Sequence, residues 1–129
     1  MSEIRIVNPS DFGPALFPYS QATVANGFVF VAGQVALDDD NNVVAPGDAY
    51  EQTLVTLDRV ARILSEVGGT LQDIVTATVF VPGLEHLPGF NKAWEEKFGS
   101  HRPARAAVVA GLLIDGLVVE VQSTAIARG

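Results

Sequence analysis

Residues 73–81 read Asp73-Ile74-Val75-Thr76-Ala77-Thr78-Val79-Phe80-Val81, and Pro82-Gly83 closes the run. Apolar and β-branched side chains fall on both parities, the pattern of a strand covered on both faces. A helix reads on either side of it. Upstream, Asp48 stands as an N-cap with Glu51 three residues on, a capping-box spacing. Leu54, Leu57, Ala61, Leu64 and Val67 then recur at helical intervals, and Gly68-Gly69 ends the run. Downstream, Leu87, Phe90, Trp94 and Phe98 share one helical face, with Gly99 as the stop.

Further out, Gly27-Phe28-Val29-Phe30-Val31-Ala32 is a second strand apolar on both parities. Ile4–Val7 predicts a short strand that stops at Asn8-Pro9, and residues 11–26, rich in Gly, Pro, Ser and Asn, predict an irregular loop. Asp38–Asn42 predicts a solvated turn from which Val43-Val44-Ala45 returns as a short strand. After His101-Arg102-Pro103, β-branched runs predict two last strands, about 104–110 and 117–127. The order of strands, helix, strand, helix, strands predicts an α+β fold: a single mixed β-sheet with two helices packed on one face. The other face is apolar too, and no further helix is available to cover it. A second copy of the same chain is the economical cover.

The 129 residues fit one domain, 1–129, with no repeat and no dividing linker. Apolar residues make up 48% and charged ones 18%, a composition that supports a core and rules out disorder. A net charge of −7 gives no electrostatic footprint for nucleic acid. The absence of cysteine removes disulfides and thiolate chemistry. Residues 1–5 lack the features of a secretory signal. Gly27–Leu37, the longest apolar stretch, is broken at Gly33-Gln34 and too short to span a bilayer. A soluble, cytoplasmic chain without a membrane partner is the expectation. His86 and His101 lie fifteen apart without a third ligand, and no phosphate loop or nucleophile elbow occurs, so neither metal nor cofactor is expected.

Chemistry concentrates at a few positions. Arg105 opens an otherwise apolar strand, Ala106-Ala107-Val108-Val109-Ala110. A guanidinium there either pairs with an internal acid, lies at an exposed strand end, or forms a planar fork for a ligand carboxylate. Glu120 lies among valines, with Gln122 and Thr124 on its own face. It is either a solvent-facing group or a general base tuned by half-apolar surroundings. A tight hairpin at Asp115-Gly116 would put Glu120 opposite Gly111, away from Arg105, so a meeting of the two needs a wider loop or another strand order. Tyr19 lies in the long loop, where a packing anchor and a functional group are both open. Ala32-Gly33 interrupts a strand with a glycine, which suggests a bulge or a close approach. Asn91 is a poor helix former within the second helix, on the surface or in a polar pocket.

Together these segments resemble the RidA/YjgF family of reactive-intermediate deaminases along nearly the whole chain. Pro18-Tyr19-Ser20-Gln21-Ala22 is similar to the family's G-P-Y-S-Q-A segment, with Phe17 at the glycine; Ala32-Gly33-Gln34 is similar to S-G-Q, with alanine for serine. Residues 73–81 resemble D-I-V-K-T-T-V-F-V, and Phe90-Asn91 through Phe98 resembles F-N-x-x-Y-x-x-F-F, with Trp94 at the tyrosine. Arg102-Pro103-Ala104-Arg105 resembles F-P-A-R, and Val119-Glu120-Val121 the final I-E-I/V strand. The resemblance implies a chorismate-mutase-like fold assembled as a homotrimer with pockets at the subunit interfaces. It implies a cofactor-free hydrolase of the 2-iminobutanoate/2-iminopropanoate deaminase type, acting in metabolite damage control, which converts 2-imino or enamine acids to 2-oxo acids and ammonia. By the same resemblance Arg105 holds the substrate carboxylate, Glu120 activates or positions water, and Tyr19, Ala32, Gly33 and Asn91 line the pocket. Ala32, and Ala107 where many members have cysteine, depart from the family and make the pocket less polar. They leave open a pathway-specific relative such as a 2-aminomuconate deaminase, or a non-catalytic 2-oxo-acid sensor.

Overall fold

The computed structural model describes residues 3–129. Its strands are β1 (Arg5–Val7), β2 (Ala22–Ala25), β3 (Phe28–Val35), β4 (Ile74–Val81), β5 (Ala104–Val109) and β6 (Glu120–Ile126); its α-helices are α1 (Ala49–Ser65) and α2 (Leu87–Phe98). They form one six-stranded sheet in the order β1-β2-β3-β6-β4-β5. Only the β4–β5 pair is parallel. A parallel pair needs a crossover connection, and α2 supplies it. The last strand, β6, runs antiparallel between β3 and β4, so β5 and β6 are not neighbours. The sequence left this strand order open.

Alternation on each strand divides the sheet into two faces. Val29, Val31, Ala77, Val79, Val121 and Ala125 are buried beneath the helices. Leu57, Val60, Ile63 and Leu64 of α1 and Phe90, Trp94 and Phe98 of α2 complete that core. The opposite face has no helix on it. There Phe28 lies beside its cross-strand partner Ile126, and the Phe28 and Phe30 ring centroids are 6.4 Å apart. All three side chains are exposed. The expectation of an uncovered apolar face is met.

The helix boundaries follow local chemistry. The Asp48 carboxylate accepts from Glu51 N at 3.0 Å at the start of α1. Its buried arc is wider than the apolar stripe predicts: Thr53, Thr56, Val60 and Ile63 are buried, while Leu54 and Ala61 are only half-buried. The reason is that α1 packs on both the sheet and α2. At the end of α2, Gly99 adopts φ 61°, a conformation that suits glycine.

Three expectations need correction. The predicted loop over 11–26 ends in a strand, β2, joined to β3 by Asn26-Gly27 with φ of 52° and 84°. This is a two-residue hairpin whose Asn-Gly signal lies at the end of an irregular, Gly- and Pro-interrupted stretch. Residues 43–45 do not return as a strand; Val43 makes one isolated bridge to Leu37, and Ala45 at φ 46° turns the chain away. The final strand starts at Glu120 rather than 117, because Val118 N donates to the buried Gln52 Oε1 at 2.8 Å. Gln52 Nε2 in turn donates to Gly116 O at 2.8 Å, tying α1 to the approach to β6. No helix among the described residues is long and apolar enough to cross a membrane.

Candidate functional site

The candidate residues fall into two separate half-sites. The first is built on the glycine in β3. Pairing with β6 runs regularly to Val31↔Ser123 and resumes at Gln34↔Val121, so Ala32 and Gly33 together bulge opposite Gln122. A Cβ at position 33 would collide with the Glu120 carboxylate. Glycine therefore allows the carboxylate to lie directly on the strand.

A buried polar chain holds the bulge from beneath. Ala32 N donates to Gln21 O at 2.9 Å, and Gln34 Nε2 donates to Gln21 Oε1 at 2.8 Å and to Ala32 O at 3.1 Å. Arg59 of α1 completes the chain, donating from Nε to Gln34 Oε1 at 3.2 Å and from Nη1 to Leu37 O at 3.1 Å. Its guanidinium carbon stands 4.2 Å from the centre of the Phe12 ring. Burial pulls the guanidinium below its ordinary pKa. Arg59→Met would leave Gln34 Oε1 and Leu37 O without their donor, at a cost of about 1–3 kcal/mol for each orphaned group. We expect a lower urea midpoint with an unchanged slope, measured by circular dichroism. A midpoint equal to the parent's would show the network to be dispensable.

Glu120 enters a cavity of about 240 Å³ together with Tyr19, Ala32 and Gly33. Leu16, Phe17, Leu37, Leu113, Ile114 and Leu117 supply apolar wall. Glu120 makes no hydrogen bond or ion pair with the described residues, and burial raises its carboxyl above the ordinary range.

The second half-site lies on the helix side of the sheet. Arg105 is opposite Ala77 in the β4–β5 register, and Ala77 faces the helices. Its guanidinium lies 5.3 Å from the Phe90 ring centre and 5.2 Å from that of Trp94. Those rings position it without neutralising it. No acid pairs with it among the described residues; the side chain is exposed on the edge strand, and partial desolvation against the rings lowers its pKa. Arg105 and Asn91 line a cavity of about 320 Å³ with Trp94, Glu95, Phe98, His101 and Arg102, and Glu95 pairs with Arg102 at 3.5 Å rather than with Arg105. His101 has a structural contact here: its Nε2 lies 2.8 Å from Ile74 O.

Within the single chain the two half-sites do not meet. Glu120 is in register with Phe80 of β4 and lies on the open face, whereas Arg105, one strand beyond β4, turns towards the helices. Each half-site thus holds one unpaired charge, and the two charges are opposite.

A six-stranded mixed sheet with two helices on one face and a glycine bulge under a carboxylate defines a class of small α+β proteins. The family described as endoribonuclease L-PSP matches residues 12–127, and the chain belongs to this family, known also as RidA/YjgF. A relative from Acinetobacter baylyi, named 3-aminoacrylate deaminase RutC, is 38% identical over 121 residues, 94% of this chain and 96% of that protein. Yeast Mmf1 superposes with a TM-score of 0.89 at 31% identity, covering 98% of this chain and 100% of that one. TdcF from E. coli, solved with bound serine, gives a TM-score of 0.85 at 25% identity over 95% and 98% of the two chains. These likenesses bear out the expected fold and family. They name neither a substrate nor an assembly for this chain.

Of the positions singled out in the sequence, Tyr19, Ala32, Gly33 and Glu120 line one cavity and Asn91 and Arg105 the other, whereas the apolar wall of Leu16, Phe17, Leu37, Leu113, Ile114 and Leu117 was not singled out. Sequence reasoning also missed Gln21, Gln34 and Arg59, which form the support. Their signal was polar residues on elements otherwise facing the core, but pairing across 25 positions, Arg59 to Gln34, is not visible in a linear pattern.

Proposed function

We propose that the chain is a hydrolytic deaminase of 2-imino and enamine acids, with a site completed by a neighbouring copy in a homotrimer. The observation that carries this reading is the division of complementary groups between two faces. An unpaired carboxylate lies over a glycine bulge on the open face, and an unpaired guanidinium lies on aromatic rings at the edge strand. A neighbour docked on the open face would bring its Arg105 and Asn91 to the cavity of Glu120 and Tyr19. The exposed Phe28, Phe30 and Ile126 give that neighbour an apolar surface to bury.

The chemistry suits such a pocket. A protonated 2-imino acid is electrophilic at C2, so catalysis requires orientation, a base near water and a counter-charge for the carboxylate. Arg105 would fix the carboxylate, Glu120 would take the proton from water as it adds to C2, and Tyr19 with Asn91 would confine the substrate. Return of that proton to nitrogen makes ammonia the leaving group, and as the C–N bond breaks Glu120 takes the proton of the new hydroxyl, leaving the 2-oxo acid. The deaminase name of the A. baylyi relative and the serine bound by TdcF support a small amino-acid-like substrate. Release of ammonia and oxo acid from freshly generated imines, above the spontaneous rate, tests the reading. Ala32, which lines the cavity without a hydroxyl, favours a second reading, a 2-oxo-acid binder without turnover, which the same assay would reveal as binding with no acceleration.

The assembly has its own test. Sedimentation equilibrium at micromolar concentration should return three chain masses, and Phe30→Asp should shift the distribution towards monomer, since it places a charge on the face to be buried. A monomeric parent would leave each half-site incomplete and remove the basis of the composite site.

A further inference from the structure

The cavity beside Glu120 is mostly apolar, which is more than positioning a carboxylate or a water requires. Phe17 O accepts from Tyr19 N at 2.8 Å across Pro18, a tight turn that places both aromatic side chains on this cavity. Phe17 is 48% exposed and Leu113, from the connection leading to β6, is 84% exposed; they line the same cavity from separate segments. The cavity measures about 240 Å³ in the single chain, before the neighbouring copy of the proposed site closes it. Its wall can take one hydrocarbon substituent. The polar groups lie at one side, with Glu120 over Gly33, and the hydrocarbon wall lies around the rest.

We propose that this wall receives the substrate's side chain and selects 2-imino acids with branched or aromatic hydrocarbon side chains over those with methyl or polar ones. Phe17 and Leu113 are the specificity-determining residues. The proposal rests on the imine-deaminase reading of the site, which it deepens by naming the substrate class. A hydrocarbon side chain leaves water for carbon on entering the wall, whereas a hydroxyl or second carboxylate would be desolvated there without a partner. Each buried methylene contributes about fourfold, so isobutyl in place of methyl corresponds to roughly 10–60-fold.

The test compares 2-imino-4-methylpentanoate, 2-imino-3-phenylpropanoate, 2-iminopropanoate and 2-imino-3-hydroxypropanoate. Each is generated in place from its amino acid by an amino-acid oxidase, with the spontaneous hydrolysis rate subtracted. Expected is a kcat/KM for the two larger substrates at least about 10-fold above the two smaller ones. Phe17→Gly and Leu113→Ser should bring that ratio towards one, mainly through KM. In parallel, calorimetry with 4-methyl-2-oxopentanoate and pyruvate reads the wall without turnover. A parental ratio near one in both assays would overturn the proposal, as would variants that keep the parental ratio. No acceleration of any imine, with the oxo-acid affinity ratio retained, would overturn the deaminase reading and leave the apolar selectivity standing.

Discussion

Arg105→Ala should abolish measurable binding of small 2-oxo acids while the assembly stays intact. The guanidinium has no acid to release and lies on Phe90 and Trp94, so its removal leaves no orphaned internal charge. What is lost is the counter-charge for the ligand carboxylate. In a site closed by a neighbouring copy, as proposed, removing one partner of the resulting buried charge pair costs about 2–5 kcal/mol, or roughly 30-fold to several thousand-fold in affinity. Arg105→Lys should also bind poorly, because a point charge does not reproduce a planar fork between two rings. Isothermal calorimetry with pyruvate, alongside sedimentation of each variant, measures both effects. Unchanged affinity in either variant would make Arg105 a structural residue and move the carboxylate elsewhere.

The same residues show how far sequence carries. Local elements with a strong period, such as 73–81 and the run after Asp48, were legible because each is fixed by its own side chains. The β2–β3 hairpin was missed because four residues, Ala22–Ala25, carry too little pattern to stand out from the irregular, Gly- and Pro-interrupted segment before them. The decisive relation was not local at all. Alternation correctly placed Glu120 with Gln122 and Thr124, but the face taken by Arg105 depends on the β4–β5 register, and its distance from Glu120 on β6 inserting between β3 and β4. Family resemblance supplied the pairing of Arg105 with Glu120 as an idea. The fold adds that a single chain keeps the two on opposite sides of its sheet, which makes assembly a condition of the proposed chemistry.

Glu120→Gln should retain ligand binding and lose most imine hydrolysis. The amide keeps nearly the same shape over Gly33, where the carboxylate sits against the bare strand, so the cavity is preserved. It cannot accept a proton. Glu120 is free for that task because it has no hydrogen-bond or ion-pair partner among the described residues, and burial raises its carboxyl, making it a better base than an exposed glutamate. General-base contributions are on the order of 10²–10⁴-fold in rate, well above assay error once spontaneous hydrolysis is subtracted. The sign of the pH dependence follows from the same group. The active form is the ionised one, present above its pKa and lost as pH falls through it, so the acid limb of kcat/KM should lie above the ordinary glutamate value of about 4.3. The Gln variant should lose that limb and show a flat residual rate across the window. A Glu120→Gln protein that hydrolyses imines like the parent, with affinity intact, would eliminate the general base. Any catalysis would then rest on orientation by Arg105.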